Sequence, residues 1–121
     1  MDNIIKMLYK AAMKSEMNHR HGCIITYGGN IISSGYNHCY KKYNNNNCEY
    51  LKFKYSVHAE ICAIKKIKNK TILKKCTLYV IRIKNNQCSG TYPIEYGYPC
   101  EQCMKIINKY KINFKNIINL L

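Results

Sequence analysis

The N-terminal segment places its apolar residues at the spacing of an α-helix. Between residues 2 and 17, Ile5, Leu8, Ala12 and Ser15 recur at intervals of three or four, and the lysines lie off that face. Such a stripe indicates an amphipathic helix that packs against a larger layer. The pattern therefore predicts a first helix with a structural role.

Two β-branched runs follow and predict a hairpin. The first covers residues 23–27 and is almost continuously apolar, and the second covers residues 31–35 after a Gly-Gly turn. An apolar run of this length is typical of a strand that is buried on both faces. His19 and His21 precede the first run, and we interpret them as solvated or hydrogen-bonded loop residues.

The rest of the chain alternates helical and strand patterns. These patterns cover residues 58–68 and 100–110 for the helices, and 76–83 and 114–118 for the strands. Two long polar loops rich in tyrosine, residues 38–57 and 84–98, separate them. A chain of 121 residues is the size of one small domain. We therefore expect a single α/β domain over residues 1–121.

Composition and charge narrow the classes of function. The net charge is +14, from 20 basic and 6 acidic residues, which reflects either a biased composition or a preference for nucleic acid and nucleotide phosphates. No window of about 20 apolar residues predicts a membrane span, and no signal peptide is recognisable. We expect a cytoplasmic or nuclear protein that is not secreted. Its 8 cysteines are then expected to be reduced thiols and metal ligands rather than disulfides.

Two short segments carry ligands for a metal ion. Cys100 and Cys103 open a predicted helix behind Pro99, and a spacing of three puts both sulfurs on one helical face. The positive end of the helix dipole favours their thiolate forms. His58 opens the other predicted helix. One imidazole and two thiolates make three ligands, which is the pattern of a catalytic zinc site with an open fourth position.

Glu60 lies two residues after His58 and is not needed as a ligand. A carboxylate at this position points towards the metal site and can move protons to and from a substrate. The combined pattern His-x-Glu and Pro-Cys-x-x-Cys is the signature of zinc-dependent nucleobase deaminases. A site that only stabilises the fold is the competing interpretation, and the free carboxylate of Glu60 argues against it.

The chain resembles the cytidine/deoxycytidylate deaminase superfamily over most of its length. The resemblance rests on His58-Ala59-Glu60 and Pro99-Cys100-x-x-Cys103, together with Gly35-Tyr36-Asn37 and Leu78-Tyr79-Val80. It implies a three-layer fold, in which a mixed sheet of about four to five strands has helices on both faces. It also implies one Zn²⁺ ion held by His58, Cys100 and Cys103, with Glu60 as the catalytic proton shuttle.

The resemblance also implies three substrate-binding residues. Asn37 matches a position that contacts the sugar, and Ala59 matches one whose backbone lines the base pocket. Tyr98 directly precedes the Pro-Cys motif, where other members commonly carry a small or acidic residue. Further C-terminal elements of the family have no counterpart here, so we expect the sheet edge to be covered by a second copy in a homo-oligomer.

These observations favour zinc-dependent hydrolysis of cytosine to uracil in a (deoxy)cytidine nucleotide or nucleoside. One alternative is a deaminase that acts on cytosine, or less readily adenosine, in single-stranded DNA or RNA. The interleaved Tyr and Lys residues of the long loops suit such a strand. A second alternative is a non-catalytic, zinc-stabilised module that binds nucleic acid. No membrane partner is expected.

Overall fold

The computed structural model describes residues 2–17, 19–39, 56–84, 94–95 and 99–116. In chain order the elements are α1 (Asp2–Met13), β1 (His19–Tyr27), β2 (Asn30–Tyr36), β3 (His38–Cys39), β4 (Ser56–Val57), α2 (Ala59–Lys65), a 3₁₀-helix (Lys70–Lys75), β5 (Cys76–Lys84), β6 (Ile94–Glu95), α3 (Glu101–Lys109) and β7 (Asn113–Asn116).

The strands form one mixed sheet and one short pair. β1 lies between β2 and β5 and is antiparallel to both. The free side of β5 is shared by two strands, because β7 pairs parallel with its first half and β6 antiparallel with its second half. β3 and β4 pair separately. The sequence predicted this mixed α/β sheet, and the architecture confirms it.

Helices cover both faces of the sheet. On one face, α1 packs its apolar stripe on β1 and β5 through Leu8, Ala12, Ile24, Ile81 and Ile83. On the other face, α2 and α3 share one core cluster with the same two strands, which includes Cys23, Ile25, Ala59, Ala63, Leu78, Val80 and Ile107. Residues that alternate along β1 and β5 therefore enter opposite cores. This three-layer arrangement sets α2 and α3 side by side on one face.

Two glycines allow the helices to approach the sheet closely. A Cβ atom at Gly35 would lie 2.4 Å from the carbonyl oxygen of Ala59 in α2. On the opposite face, a Cβ atom at Gly22 would lie 2.6 Å from the carbonyl oxygen of Leu8 in α1. The hydroxyl of Ser33 also donates a buried 2.7 Å hydrogen bond to the carbonyl oxygen of Ala63. The contacts of Gly35 and Ser33 fix α2 on β2, and the contact of Gly22 fixes α1 on β1.

The main correction to the sequence analysis concerns the start of β1. The strand begins at His19, so His19 and His21 are strand residues and not loop residues. Their backbones pair with Lys84 and Arg82 of β5. The N–H of His21 also donates to the Oδ1 atom of Asn37 at 2.8 Å. These tertiary hydrogen bonds extend the strand beyond its apolar run.

Other boundaries differ by a few residues. The first helix ends at Met13, and the helix predicted over residues 58–68 ends at Lys65. Asn69 caps the 3₁₀-helix that follows, since its side chain accepts from the N–H of Thr71. Most of the loops 38–57 and 84–98, and residues 117–118 of the last predicted strand, lie outside the described residues. None of the described helices is long and apolar enough to cross a membrane.

Candidate metal centre and active site

Three predicted ligands meet where α2 and α3 begin. His58 is the N-cap of α2, and Cys100 is the N-cap of α3. The Nδ1 atom of His58 lies 3.5 Å from the Sγ atom of Cys100 and 3.3 Å from the Sγ atom of Cys103. All three ligand atoms lie within 4.8 Å of one another. The two helix starts thus converge on a single point.

This geometry fits one zinc ion. A tetrahedral site with Zn–S bonds of about 2.3 Å and Zn–N bonds of about 2.0 Å places its nitrogen and sulfur atoms about 3.5 Å apart. The observed distances from His58 to the two sulfurs, 3.5 and 3.3 Å, match this requirement. The donor set of one imidazole and two thiols suits zinc and leaves one coordination position for other ligands.

The thiols of the cluster differ in their environment. Cys103 is buried, whereas Cys100 is exposed and its sulfur accepts a 3.5 Å hydrogen bond from the backbone N–H of Cys103. Burial raises the pKa of the Cys103 thiol well above its usual range, and the nearby carboxylate of Glu60 raises it further. Without a metal ion, Cys103 therefore holds a proton at neutral pH.

Glu60 lies in the first turn of α2 and is buried, with 3% of its surface exposed. Within the described part of the chain, its Oε1 atom has no hydrogen-bond partner, whereas its carboxylate bonds with the side chain of Cys103. Burial raises the pKa of this carboxyl group. A carboxyl group with a raised pKa and a free oxygen beside a metal site is suited to accept and deliver protons.

Asn37 is buried next to the start of β1. Its Oδ1 atom accepts from the N–H of His21 at 2.8 Å, and its Nδ2 atom donates to the carbonyl oxygen of His19 at 2.7 Å. The amide of Asn37, just after β2, therefore holds the start of β1 in place.

Ala59 is fully buried, with its side chain in the core, and Tyr98 lies outside the described residues. The substrate contacts of Asn37, Ala59 and Tyr98 stay predictions.

Basic side chains of β1 and β5 form a group that was not predicted from the sequence. His21 and Arg82 pair across β1 and β5, and Arg82 reaches the ring of His19. The signal was present in the alternation of His19, His21, Cys23 and Ile25 along one face, and in the single arginine within the apolar run of β5. The free cysteines of the described residues are Cys23, Cys62, Cys76, Cys100 and Cys103.

Comparisons with known proteins agree with the site. Residues 1–118 match the sequence profile described as the cytidine and deoxycytidylate deaminase zinc-binding region. No curated protein sequence matches significantly. Among solved structures, the apo dCMP deaminase of cyanophage S-TIM5 superposes with a TM-score of 0.64 at 20% identity, over 99% of this chain and 87% of that one. The same enzyme in complex with dCMP and dUMP gives a TM-score of 0.66 at 16% identity, over 94% and 81%.

Proposed function

Because the chain belongs to the cytidine and deoxycytidylate deaminase family, we propose that it hydrolyses the cytosine of a free (deoxy)cytidine nucleotide or nucleoside to uracil and ammonia. The observation that carries this proposal is the pairing of a three-ligand site with a buried carboxylate that is not a ligand. A purely structural zinc site normally has four protein ligands. Two solved structures of similar fold are those of a dCMP deaminase, which supports a pyrimidine nucleotide as the substrate class.

The roles of the residues follow from their positions. His58, Cys100 and Cys103 would hold the zinc ion, which would supply Lewis-acid activation of water. Glu60 accepts the proton that the attacking water loses and delivers it to the ring nitrogen of cytosine. It then takes a second proton from the hydroxyl group that the water has added to the ring and carries it to the amino group, which leaves as ammonia. Overall, one water molecule is consumed and one C–N bond is replaced by a C–O bond.

Burial of Glu60 serves this role. A carboxylate in water has too low a pKa to protonate a base at neutral pH, and desolvation shifts the pKa in the required direction. The Oε1 atom, which has no hydrogen-bond partner among the described residues, leaves one lone-pair face of the carboxylate available to substrate or water. A fully hydrogen-bonded carboxylate would have a lower pKa and no free acceptor.

The test is ammonia release by the zinc-loaded protein from dCMP, deoxycytidine, cytidine, a cytosine-containing oligonucleotide and tRNA. We expect release from at least one of the three small substrates and none from the two polymers. Glu60→Gln is the matched variant, since it keeps the shape of the side chain but cannot carry the proton. We expect it to lower kcat by about 10²- to 10⁴-fold with zinc content unchanged. A wild-type protein that releases ammonia only from a polymer, or from none of the five, contradicts the proposal.

A further inference from the structure

Lysines gather at the end of the sheet where α2 and α3 finish. Ile67, which follows α2, Leu73 of the 3₁₀-helix and Ile112, which follows α3, are buried in one core cluster. β5 and β7 begin there as parallel neighbours, with Thr77 opposite Asn113. The segments that lead into both strands therefore meet at this end. Residues 61–94 and 102–121 contain no aspartate or glutamate, so these segments carry positive charge without a carboxylate of their own.

Some of these lysines have partners in the fold itself. The Nζ atom of Lys66 donates to the carbonyl oxygen of Ser34 at 2.7 Å, and that of Lys70 donates to the carbonyl oxygen of Ile67. Cations near the carboxyl end of a helix also interact favourably with the helix dipole. Lys66 and Lys70 are therefore assigned to the stability of the fold.

Four other lysines of this end point their charge at solvent. Lys68, Lys74, Lys75 and Lys111 are exposed, and within the described residues none of their side chains forms a hydrogen bond or an ion pair. Clustered like charges raise the local concentration of anions and favour an anionic partner. We call these four residues the lysine patch.

An exposed aromatic ring lies beside the lysine patch. Tyr27 ends β1 and pairs with Cys76, the residue directly after Lys75. Its exposed fraction is 38%, and no other tyrosine or phenylalanine of the described residues is exposed to this extent. Side chains alternate along β1, so Tyr27 lies on the same face as Ile25, which belongs to the core under α2 and α3. The ring and the ammonium groups thus share one surface.

This surface is separate from the metal site. From His58, its N-cap, to Lys66, its C-cap, α2 rises about 12 Å, and the lysine patch begins beyond Lys66. A ligand bound at the patch therefore does not occupy the position next to the zinc ligands.

We propose that the lysine patch and Tyr27 form a docking surface for single-stranded nucleic acid. Ammonium groups bind the phosphates and the tyrosine ring stacks on a base, which is the combination that proteins use to bind single strands without sequence preference. A duplex keeps its bases stacked inside and offers no base face to Tyr27. The proposal concerns a binding partner and does not depend on the deaminase reaction.

The test measures the affinity of the zinc-loaded protein for a fluorescently labelled oligothymidylate at several salt concentrations. Each lysine that neutralises a phosphate of a single strand contributes about −0.7 to the slope of log affinity against log salt. The triple variant Lys68→Gln, Lys74→Gln and Lys75→Gln should therefore reduce the magnitude of the slope by about 2. It should also lower the affinity at about 0.1 M salt by at least about tenfold.

The matched control is the triple variant Lys6→Gln, Lys10→Gln and Lys14→Gln. It removes the same charge from exposed positions of α1, on the opposite face of the sheet. Its slope and affinity should stay close to those of the wild type. Should the patch variant melt early, Lys68→Gln and Lys75→Gln are measured singly, and each should reduce the slope by about 0.7.

Tyr27 tests the stacking contact. Tyr27→Ala should lower the affinity for the oligothymidylate by about 5- to 100-fold, whereas Tyr27→Phe keeps the ring and should bind like the wild type. Ile32→Ala is the control, because Ile32 is the other exposed large hydrophobic residue, with an exposed fraction of 40%. It should leave the affinity unchanged.

Three results would overturn the proposal. Equal losses in the two triple variants would show that binding follows net charge alone. Tighter binding of a duplex than of a single strand would assign the surface to another ligand, and so would binding of anionic lipid vesicles without binding of the oligothymidylate. Ammonia release from the small substrates is measured separately. The patch variant should keep the kcat of the wild type, so a failure of the docking surface and a failure of the deaminase function are distinguishable.

Discussion

Gly35 of β2 lies directly beneath Ala59, the first residue of α2, and the space between them is too small for a side chain. A Cβ atom at Gly35 would lie 2.4 Å from the carbonyl oxygen of Ala59 and 2.6 Å from the N–H nitrogen of Ala63. Neither backbone atom can move without moving the helix. Because His58 and Glu60 flank Ala59, the close approach at Gly35 sets the height of the metal site above the sheet.

We therefore expect Gly35→Ala to lower zinc affinity by at least about tenfold and to destabilise the protein by about 1–3 kcal/mol, the usual cost of overpacking. Gly22→Ala is the matched control. It makes an equivalent clash with the carbonyl oxygen of Leu8, but on the face of α1. Chelator competition and urea unfolding of both variants check the prediction. Equal zinc affinities in the two variants would show that Gly35 affects stability alone.

Glu60→Gln is expected to increase the stability of the zinc-free protein at neutral pH. Burial raises the pKa of Glu60 above its unfolded value, so the folded state loses stability as pH rises through the folded pKa. Glutamine has no charge to bury and avoids this loss. The variant should therefore be more stable than the wild type at pH 8, and the difference should shrink as pH falls towards 4.

Urea unfolding of both zinc-free proteins at pH 8 and pH 4.5 measures this effect. A difference that is the same at both pH values would contradict it, because the change would then come from packing and not from ionisation. A stabilised but inactive variant would also show that Glu60 lowers stability while serving the reaction.

The lowered pKa of His21 predicts that the folded protein loses stability as the pH falls into the acidic range. Its pKa is lowered from 6.5 to about 4, so the stability that it contributes is complete above pH 6.5 and is lost as pH falls through about 4. The shift corresponds to about 3 kcal/mol in total. The wild type should thus lose about that much more stability than His21→Gln between pH 7 and pH 4. Parallel pH profiles for the two proteins would refute the shift.

Local patterns were sufficient to predict the sheet, the helices and the metal ligands. The sequence itself shows the spacing of Cys100 and Cys103. It also shows His58 and Glu60 at the start of a second predicted helix. Both helix starts carry zinc ligands, so the chemistry of the ligands predicts that the two helix starts lie close together. The structure places His58, Cys100 and Cys103 together as predicted.

The strand assignment of His19 and His21 could not be obtained in the same way. Their local sequence is polar and matches a loop, and it is the pairing with β5 and the clamp by Asn37 that make them part of β1. The Asn37 contacts join residues 16 to 18 positions apart, and the pairing with β5 joins residues still farther apart in the chain, so neither leaves a local periodicity. The pairing of the half-buried residues Arg82 and His21 across the sheet depends on strand register, which is set by tertiary packing.

Zinc binding should release protons, because burial raises the pKa of the Cys103 thiol and keeps it protonated in the zinc-free protein. Zinc requires the thiolate, so at least one proton must leave when the ion binds. The apparent zinc affinity should rise about tenfold per pH unit for each proton released. Calorimetry in two buffers with different ionisation enthalpies counts these protons directly.

Cys103→Ser should lose high-affinity zinc binding. Cys76→Ser removes a buried thiol away from the ligand cluster and should bind zinc with the same proton release as the wild type. Zinc binding without proton release would mean that Cys103 is already ionised, or that it is not a ligand.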